Sequence, residues 1–277
     1  MKYKISYTNP QQHFIDIEFS VEVSRINHDG SRVTGITLTD GRSLDYETVV
    51  ANADASLVYN KLITGKVKKL RRQRADLAKA DPSLAGFSLL LGLRPSEMDS
   101  GLSHHNILFP ENYDGEFIDI FDRKKPVQDP AIYICAPRDE TMVKHAGHEA
   151  WFILINAPRH DASGADGFDW NDKDFNHRYA MQIIDSLEAR GISIRDRLDV
   201  LEIRTPADLE RSVMAPGGAI YGTSSNGARS AFMRAKNRSP LKGLYCVGGS
   251  AHPGGGLPLV GLSAEIVAEA IVGKARH

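Results

Sequence analysis

The stretch Leu244-Tyr-Cys-Val-Gly-Gly-Ser-Ala-His-Pro-Gly-Gly-Gly-Leu-Pro-Leu-Val-Gly-Leu-Ser-Ala-Glu-Ile-Val-Ala-Glu-Ala-Ile271 constrains this chain more than any other. A short apolar run stops at a glycine pair, three further glycines follow, and an apolar segment of helical length closes it; the pattern predicts strand, turn and helix. Glycines at 248, 249, 254, 255 and 256 admit positive φ and let the backbone approach a ligand closely. The helix behind them offers unpaired N–H groups at the positive end of its dipole. Such a terminus suits a phosphate or an electron-rich carbonyl. Glycine-rich turns also precede helices that bind nothing, so spacing alone leaves both readings open.

The rest of the chain supplies context. Charge is balanced, with 34 Lys+Arg against 35 Asp+Glu, so no global field favours nucleic acid, and no nucleic-acid partner is expected. Two cysteines, Cys135 and Cys246, sit in apolar runs and read as buried reduced thiols. No apolar run approaches the ~20 residues of a membrane span, and the N-terminus has no continuous apolar signal core. The expectation is a cytoplasmic protein, soluble or attached peripherally to the inner face of a membrane.

The first dozen residues show no clear period and are left unassigned. From Phe19 the apolar positions Val21, Val23 and Ile26, then Val33, Ile36 and Leu38, then Leu44 and Val49-Val50 alternate around Asp-Gly turns, a β-meander. Asp54 is placed to cap a helix carrying Leu57, Val58, Leu62 and Ile63. Six of the nine residues from Lys66 to Arg74 are cationic, which reads as a solvated helix face or as a lipid-docking one. Runs at 85–93, 106–109, 131–135 and 151–155 read as strands of one sheet, with Phe117, Ile120 and Phe121 on a short amphipathic helix between them. Asp172 to Arg190 carries the helical stripe Phe175, Tyr179, Ala180, Ile183, Ile184 and Leu187, stopped by Gly191. A strand over 198–203 and a helix capped at Thr205, with Pro206 at its first position, follow. The histidine pairs His104-His105 and His145/His148 lie on no predicted helix at ligand spacing and are read as loop or strand-end residues; no metal is expected.

The residues themselves go further than the pattern. Gly248-Gly-Ser-Ala-His-Pro-Gly-Gly-Gly-Leu-Pro258 and the helix after it resemble the C-terminal flavin-binding signature of the bacterial phytoene desaturases, FAD-dependent carotenoid oxidoreductases. Val49-Val-Ala-Asn-Ala-Asp54, His104-His-Asn-Ile-Leu-Phe109, Ala131-Ile-Tyr-Ile-Cys-Ala-Pro137, Thr205-Pro-Ala-Asp-Leu-Glu210 and Gly217-Gly-Ala-Ile-Tyr-Gly222 resemble phrases of the same family in the same order. The resemblance implies an α+β fold, an α/β flavoprotein fragment. Its parts are the β-meander over 1–55, a mixed-sheet substrate-binding domain with helices on one side over 56–240, and a C-terminal FAD-binding strand–turn–helix over 241–277.

The implied ligands are FAD and a long apolar polyene. Gly248, Gly249 and Ser250 would lie along the ribityl-pyrophosphate region, Gly256, Leu259 and Val260 near the flavin ring, and Val23 where related flavoproteins hold the adenine. The reaction implied is carotenoid desaturation, with isomerase, ketolase and saturase chemistry on the same scaffold and a non-catalytic lipid- or carotenoid-binding remnant as alternatives. Asp139, Arg159, Asp208 and Arg229 are candidates for a base or electrostatic support, each also explicable as a surface or cap residue. One departure stands out: the Gly-x-Gly-x-x-Gly fingerprint of the family's Rossmann half is absent from these 277 residues. The expectation is therefore the second half of such an enzyme, with a homo-oligomer or the missing N-terminal half as partner. A second departure is Gly249, where many relatives carry alanine.

Overall fold

The computed structural model describes residues 4–8, 14–97, 100–224 and 234–273. Residues 1–79 with 233–277 form one compact unit and residues 80–232 a second. The limits thus fall at 79/80 and 232/233, not at the expected 55/56 and 240/241. Burial is the reason: Val58, Tyr59, Ile63 and Leu70 share a core with Ile26, Val33, Leu244 and Cys246, so the helical stretch after the meander folds with it.

The first unit opens on an antiparallel pair, β1 (Lys4–Thr8) and β2 (Phe14–Glu18), the first of them inside the dozen residues left unassigned. The meander follows as β3 (Val23–His28), β4 (Val33–Leu38) and β5 (Ser43–Asp45), antiparallel and in that order. At its first turn the Asp29 carboxylate accepts the N–H groups of Ser31 and Arg32 at 2.7 and 2.8 Å, and these bonds hold it below the usual carboxylate range. Strand β6 (Val49–Ala51) leaves this sheet, and α1 (Ala55–Leu57) widens at once into a π-turn over Val58–Leu62. After a 3₁₀ turn at Lys68–Leu70 comes α2 (Arg71–Lys79).

The second unit is built on β7 (Ala85–Leu93), β8 (His105–Leu108), β9 (Ile132–Cys135), β10 (Glu149–Ala157) and β11 (Leu198–Arg204). Their spatial order is β11-β7-β10-β9-β8, antiparallel throughout. The helices are α3 (Tyr113–Phe117), which runs into a π-turn at Ile118–Arg123, α4 (Lys173–Ala189) and α5 (Pro206–Val213). The chain then returns to the first unit for β12 (Leu244–Cys246) and α6 (Leu257–Val272).

Period-2 alternation divides the five-stranded sheet into two faces. One carries Phe87, Leu89, Leu91, Leu93, Ile132, Ile134, Trp151, Ile153 and Ile155, all at most 3% exposed, packed with Tyr179, Ala180, Ile183, Ile184 and Leu187 of α4. Phe87 meets the rings of Trp170 and Tyr179 at centroid distances of 5.4 and 5.1 Å. Helix α4 obeys its caps: the Asp172 carboxylate accepts the N–H groups of Asp174 and Phe175 at 2.9 and 3.0 Å. The opposite face is open and mixed: Leu90 at 38%, Phe152 at 37%, Ile107 at 57% and Val200 at 53% exposure share it with Glu202, opposite Leu90, and Arg204, opposite Ser88. Among the described residues no helix is long and apolar enough to cross a membrane.

Candidate functional site

Strands β6 and β12 run parallel, Leu244 opposite Val49 and Cys246 opposite Ala51, so Asn52-Ala-Asp54 and Gly248-Gly-Ser250 emerge side by side at their ends. The Val247 N–H extends the ladder onto the Ala51 carbonyl at 3.0 Å. Ser250 joins the two phrases, accepting the Ala55 N–H at 3.0 Å and donating to the Ala53 carbonyl at 3.4 Å. Asp54 caps α1 as expected, accepting the Ser56 N–H at 2.8 Å. The donors at the start of α1 are therefore used within the protein.

The glycines of the turn are not equivalent. Gly248 sits at φ +97°, and a Cβ there would stand 2.4 Å from Asn52 Oδ1. At Gly249 a Cβ would make an ordinary 3.5 Å contact with the Gly255 Cα. Gly256 adopts φ +99° in open space and begins α6, its carbonyl accepting the Val260 N–H at 2.9 Å.

Two buried side chains support the turn, and the sequence reading singled out neither. The Asn237 amide nitrogen lies 3.1 Å from the Cys246 carbonyl, 2.8 Å from that of His252 and 2.9 Å from Ser263 Oγ. Its two protons are shared among three acceptors, so one residue links β12, the turn and α6. Arg234, 7% exposed, donates to the Gly249 carbonyl at 2.8 Å, and a Cβ at Gly254 would fall 3.2 Å from its Nε. Neither carries a local sequence signal beyond its polarity. Cys246 packs 3.8 Å from the Tyr59 hydroxyl; burial pushes its thiol up to about 11, which makes it an inert core residue.

Gly248, Gly249, Ser250, Gly256, Leu259 and Val260 thus form one contiguous turn and helix start, while Val23 stands on β3 opposite Leu38. No side chain caps the first turn of α6, which has Pro258 at its second position. Its free N–H groups, the dipole of a 16-residue helix and the side-chain-free backbone before it suit an electron-rich planar or phosphorylated ligand. What these residues offer is backbone donors and a helix dipole.

The second unit holds the remaining candidates. Asp139 accepts from the Thr141 N–H at 2.8 Å and its hydroxyl at 2.6 Å, a turn cap that holds its carboxyl below the usual range. Arg159 pairs with Asp166 at 2.7 Å. Asp208 completes a capping box with Thr205; burial raises its carboxyl, but the bonds from Thr205 and Arg211 prevail and lower it. Arg229 lies outside the described residues. Glu116, 1% exposed, is a buried acid that sequence reasoning missed; the Ala131 N–H at 2.6 Å and Asn156 Nδ2 at 2.7 Å engage its two oxygens, a structural pin.

The first histidine pair lies beside a cysteine of another strand. Pairing of β8 with β9 sets His105 opposite Cys135, and donor atoms of His104, His105 and Cys135 all lie within 4.8 Å of one another. Local spacing could not show this, because the third donor comes from another strand. In the basic segment, Arg74 is withdrawn from solvent, donating to the carbonyls of Tyr59, Ile63 and Gly65 at 2.8, 2.6 and 2.8 Å; Lys66, Lys68, Lys69, Arg71 and Arg72 remain exposed.

No protein-family model matches the chain. Among curated proteins it is 34% identical over 263 residues to a 1-hydroxycarotenoid 3,4-desaturase of Flavobacterium sp. (strain P99-3), covering 93% of this chain and 50% of that protein. It is 32% identical over 256 residues to a lycopene-forming phytoene desaturase of Paracoccus sp. (strain N81106 / MBIC 01143), covering 91% and 50%. Its fold is similar to that of an oxidoreductase from Methanosarcina mazei, with a TM-score of 0.57 at 14% identity over 90% of this chain and 49% of the other. The chain spans about half the length of the curated relatives it matches. On this likeness along nine-tenths of its sequence, the chain belongs to the carotenoid and phytoene desaturase family.

Proposed function

We propose that this chain supplies the flavin-ring side and the substrate surface of an FAD-dependent oxidoreductase that desaturates a long apolar polyene. The observation that carries the reading is the uncapped start of α6 behind Gly248-Gly249-Ser250, a cradle in which a Cβ at 248 would strike Asn52. Gly248, Gly249 and Ser250 line the ribityl and phosphate region, Gly256, Leu259 and Val260 face the ring, and Val23 contributes backbone contact to the adenine. When bound, the flavin supplies the hydride acceptor. The helix start stabilises negative charge that develops at its end, and Asn237 and Arg234 keep the turn in shape.

The apolar patch on the open face of the five-stranded sheet, with Leu90, Ile107, Phe152 and Val200 exposed, is the surface on which the polyene lies. The exposed cations Lys66, Lys68, Lys69, Arg71 and Arg72 give the protein a means of reaching anionic lipid, where such a substrate dissolves. The pyrophosphate-binding fingerprint comes from outside these 277 residues, and the exposed apolar side chains of α6 pack against that part. The domain roles follow: residues 1–79 with 233–277 serve the cofactor, and 80–232 the substrate.

Purified chain is incubated with excess FAD, desalted, and its spectrum taken. A retained band near ~450 nm that is lost in Gly256→Val, with far-UV dichroism unchanged, is the expected result. A protein that stays colourless as wild type overturns flavin binding by this chain and leaves the second reading, an apolar-ligand-binding module, which the open sheet face favours.

A further inference from the structure

The flavin reading leaves unused the donors at one edge of the five-stranded sheet. Cys135 ends β9 and His105 begins edge strand β8 directly opposite it. Strand alternation would send a neighbouring residue to the other face, but His104 precedes the strand, and its ring centroid lies 4.3 Å from that of His105. The His104 carbonyl accepts the Ala136 N–H at 2.8 Å, so the backbone on both sides of the cluster is held. Both imidazoles are exposed and the thiol is half-buried.

We propose that His104, His105 and Cys135 bind one divalent transition-metal ion of the zinc class, with the fourth position open to water or an added ligand. Three protein donors and one exchangeable position is an established zinc arrangement, with Zn–N ~2.0–2.1 Å and Zn–S ~2.3 Å, which puts the donors ~3.5 Å apart. A side-chain shift of about an ångström brings the present set, within 4.8 Å, to that spacing, and both imidazoles are exposed. A thiolate with two imidazoles selects zinc over the hard, oxygen-seeking magnesium and calcium. Binding converts the Cys135 thiol to thiolate and releases its proton, so the site takes one ion and gives up one proton. The Tyr133 hydroxyl stands 2.9 Å from His105 Nδ1 and against the Cys135 thiol, the outer partner that orients the ring. The bound ion ties the edge strand to its neighbour. It also places a Lewis-acidic position beside Phe152, which pairs with Cys135 on the open sheet face.

The test uses the full chain, stripped with chelator and titrated with Zn²⁺ alone by calorimetry in buffers of different ionisation enthalpy, then with Co²⁺ alone in an optical titration. One equivalent of zinc with about one proton released, and a thiolate-to-cobalt charge-transfer band, are expected. Cys135→Ser abolishes the band, and His104→Gln, at an exposed position that leaves folding intact, weakens zinc binding more than about tenfold. Tyr133→Phe keeps the stoichiometry with roughly tenfold weaker binding. His145→Gln with His148→Gln leaves all of this unchanged. No uptake, no charge-transfer band, or uptake unaltered by His104→Gln overturns the site.

Discussion

Helices α4 and α6 are nearly equal in length, 17 and 16 residues, and they carry opposite messages. In α4 the apolar residues fall on one stripe, and Tyr179, Ala180, Ile183, Ile184 and Leu187 are all buried, against the exposed His177 and Arg178. In α6 apolar residues occur on every side, yet only Ser263 and Val267 are buried, with Leu257 90%, Leu262 44% and Val272 82% exposed. A helix with one apolar stripe is written for a boundary between core and water; a helix apolar all round is written for burial. The second unit supplies the environment that α4 was written for. The described residues do not supply the one that α6 was written for, which is why its exposure bears on a partner segment.

The sharpest way to break this contrast is a pair of truncations. Ile184→Ala, at a fully buried position, should lower the unfolding free energy by about 2–5 kcal/mol. Leu257→Ala should stay within about 0.5 kcal/mol, both read by denaturant titration. A large loss at Leu257 would mean that α6 is already packed in solution. The glycine turn allows the next comparison. Gly248→Ala should destabilise the first unit by about 1–3 kcal/mol, since it meets Asn52 and a positive φ. Gly249→Ala, with an ordinary 3.5 Å contact, should be neutral within about 0.5 kcal/mol. Equal effects would disprove the geometry drawn for the turn. The smallest effect concerns the packed side of the same unit. Because burial raises the Cys246 thiol from its ordinary value of 9.0 to about 11, its contribution is complete below pH 9 and is lost as pH rises toward 11. By pH 10 wild type should lose about 1 kcal/mol more than Cys246→Ala does, measured by parallel denaturant titrations.

Much of this was legible because it is local. The Asp172 and Asp54 caps, the Thr205–Asp208 box and the stripe of α4 each depend on residues within one or two turns of one another. The glycine turn was legible for the same reason, since strand, glycines and helix are consecutive. What escaped was joined across the chain. Ser250 meets Ala55 across a sequence separation of 195, Glu116 reaches Asn156 across one of 40, and Cys135 finds His105 only through strand register. The first antiparallel pair, β1 with β2, went unread although Ile5 and Tyr7, and Ile15 and Ile17, alternate with polar residues.

By itself the sequence determined most of the order of the elements, their caps and the place of the glycine turn, because these follow from backbone propensity and short-range hydrogen bonding, and its ordered phrases pointed to the family. Only the tertiary structure decided which strands pair, that Arg74 spends its guanidinium on carbonyls, that one face of the sheet stays open, and that two histidines and a cysteine share an edge. Those outcomes rest on register and burial, which depend on the whole chain at once and leave no trace in any single stretch of it.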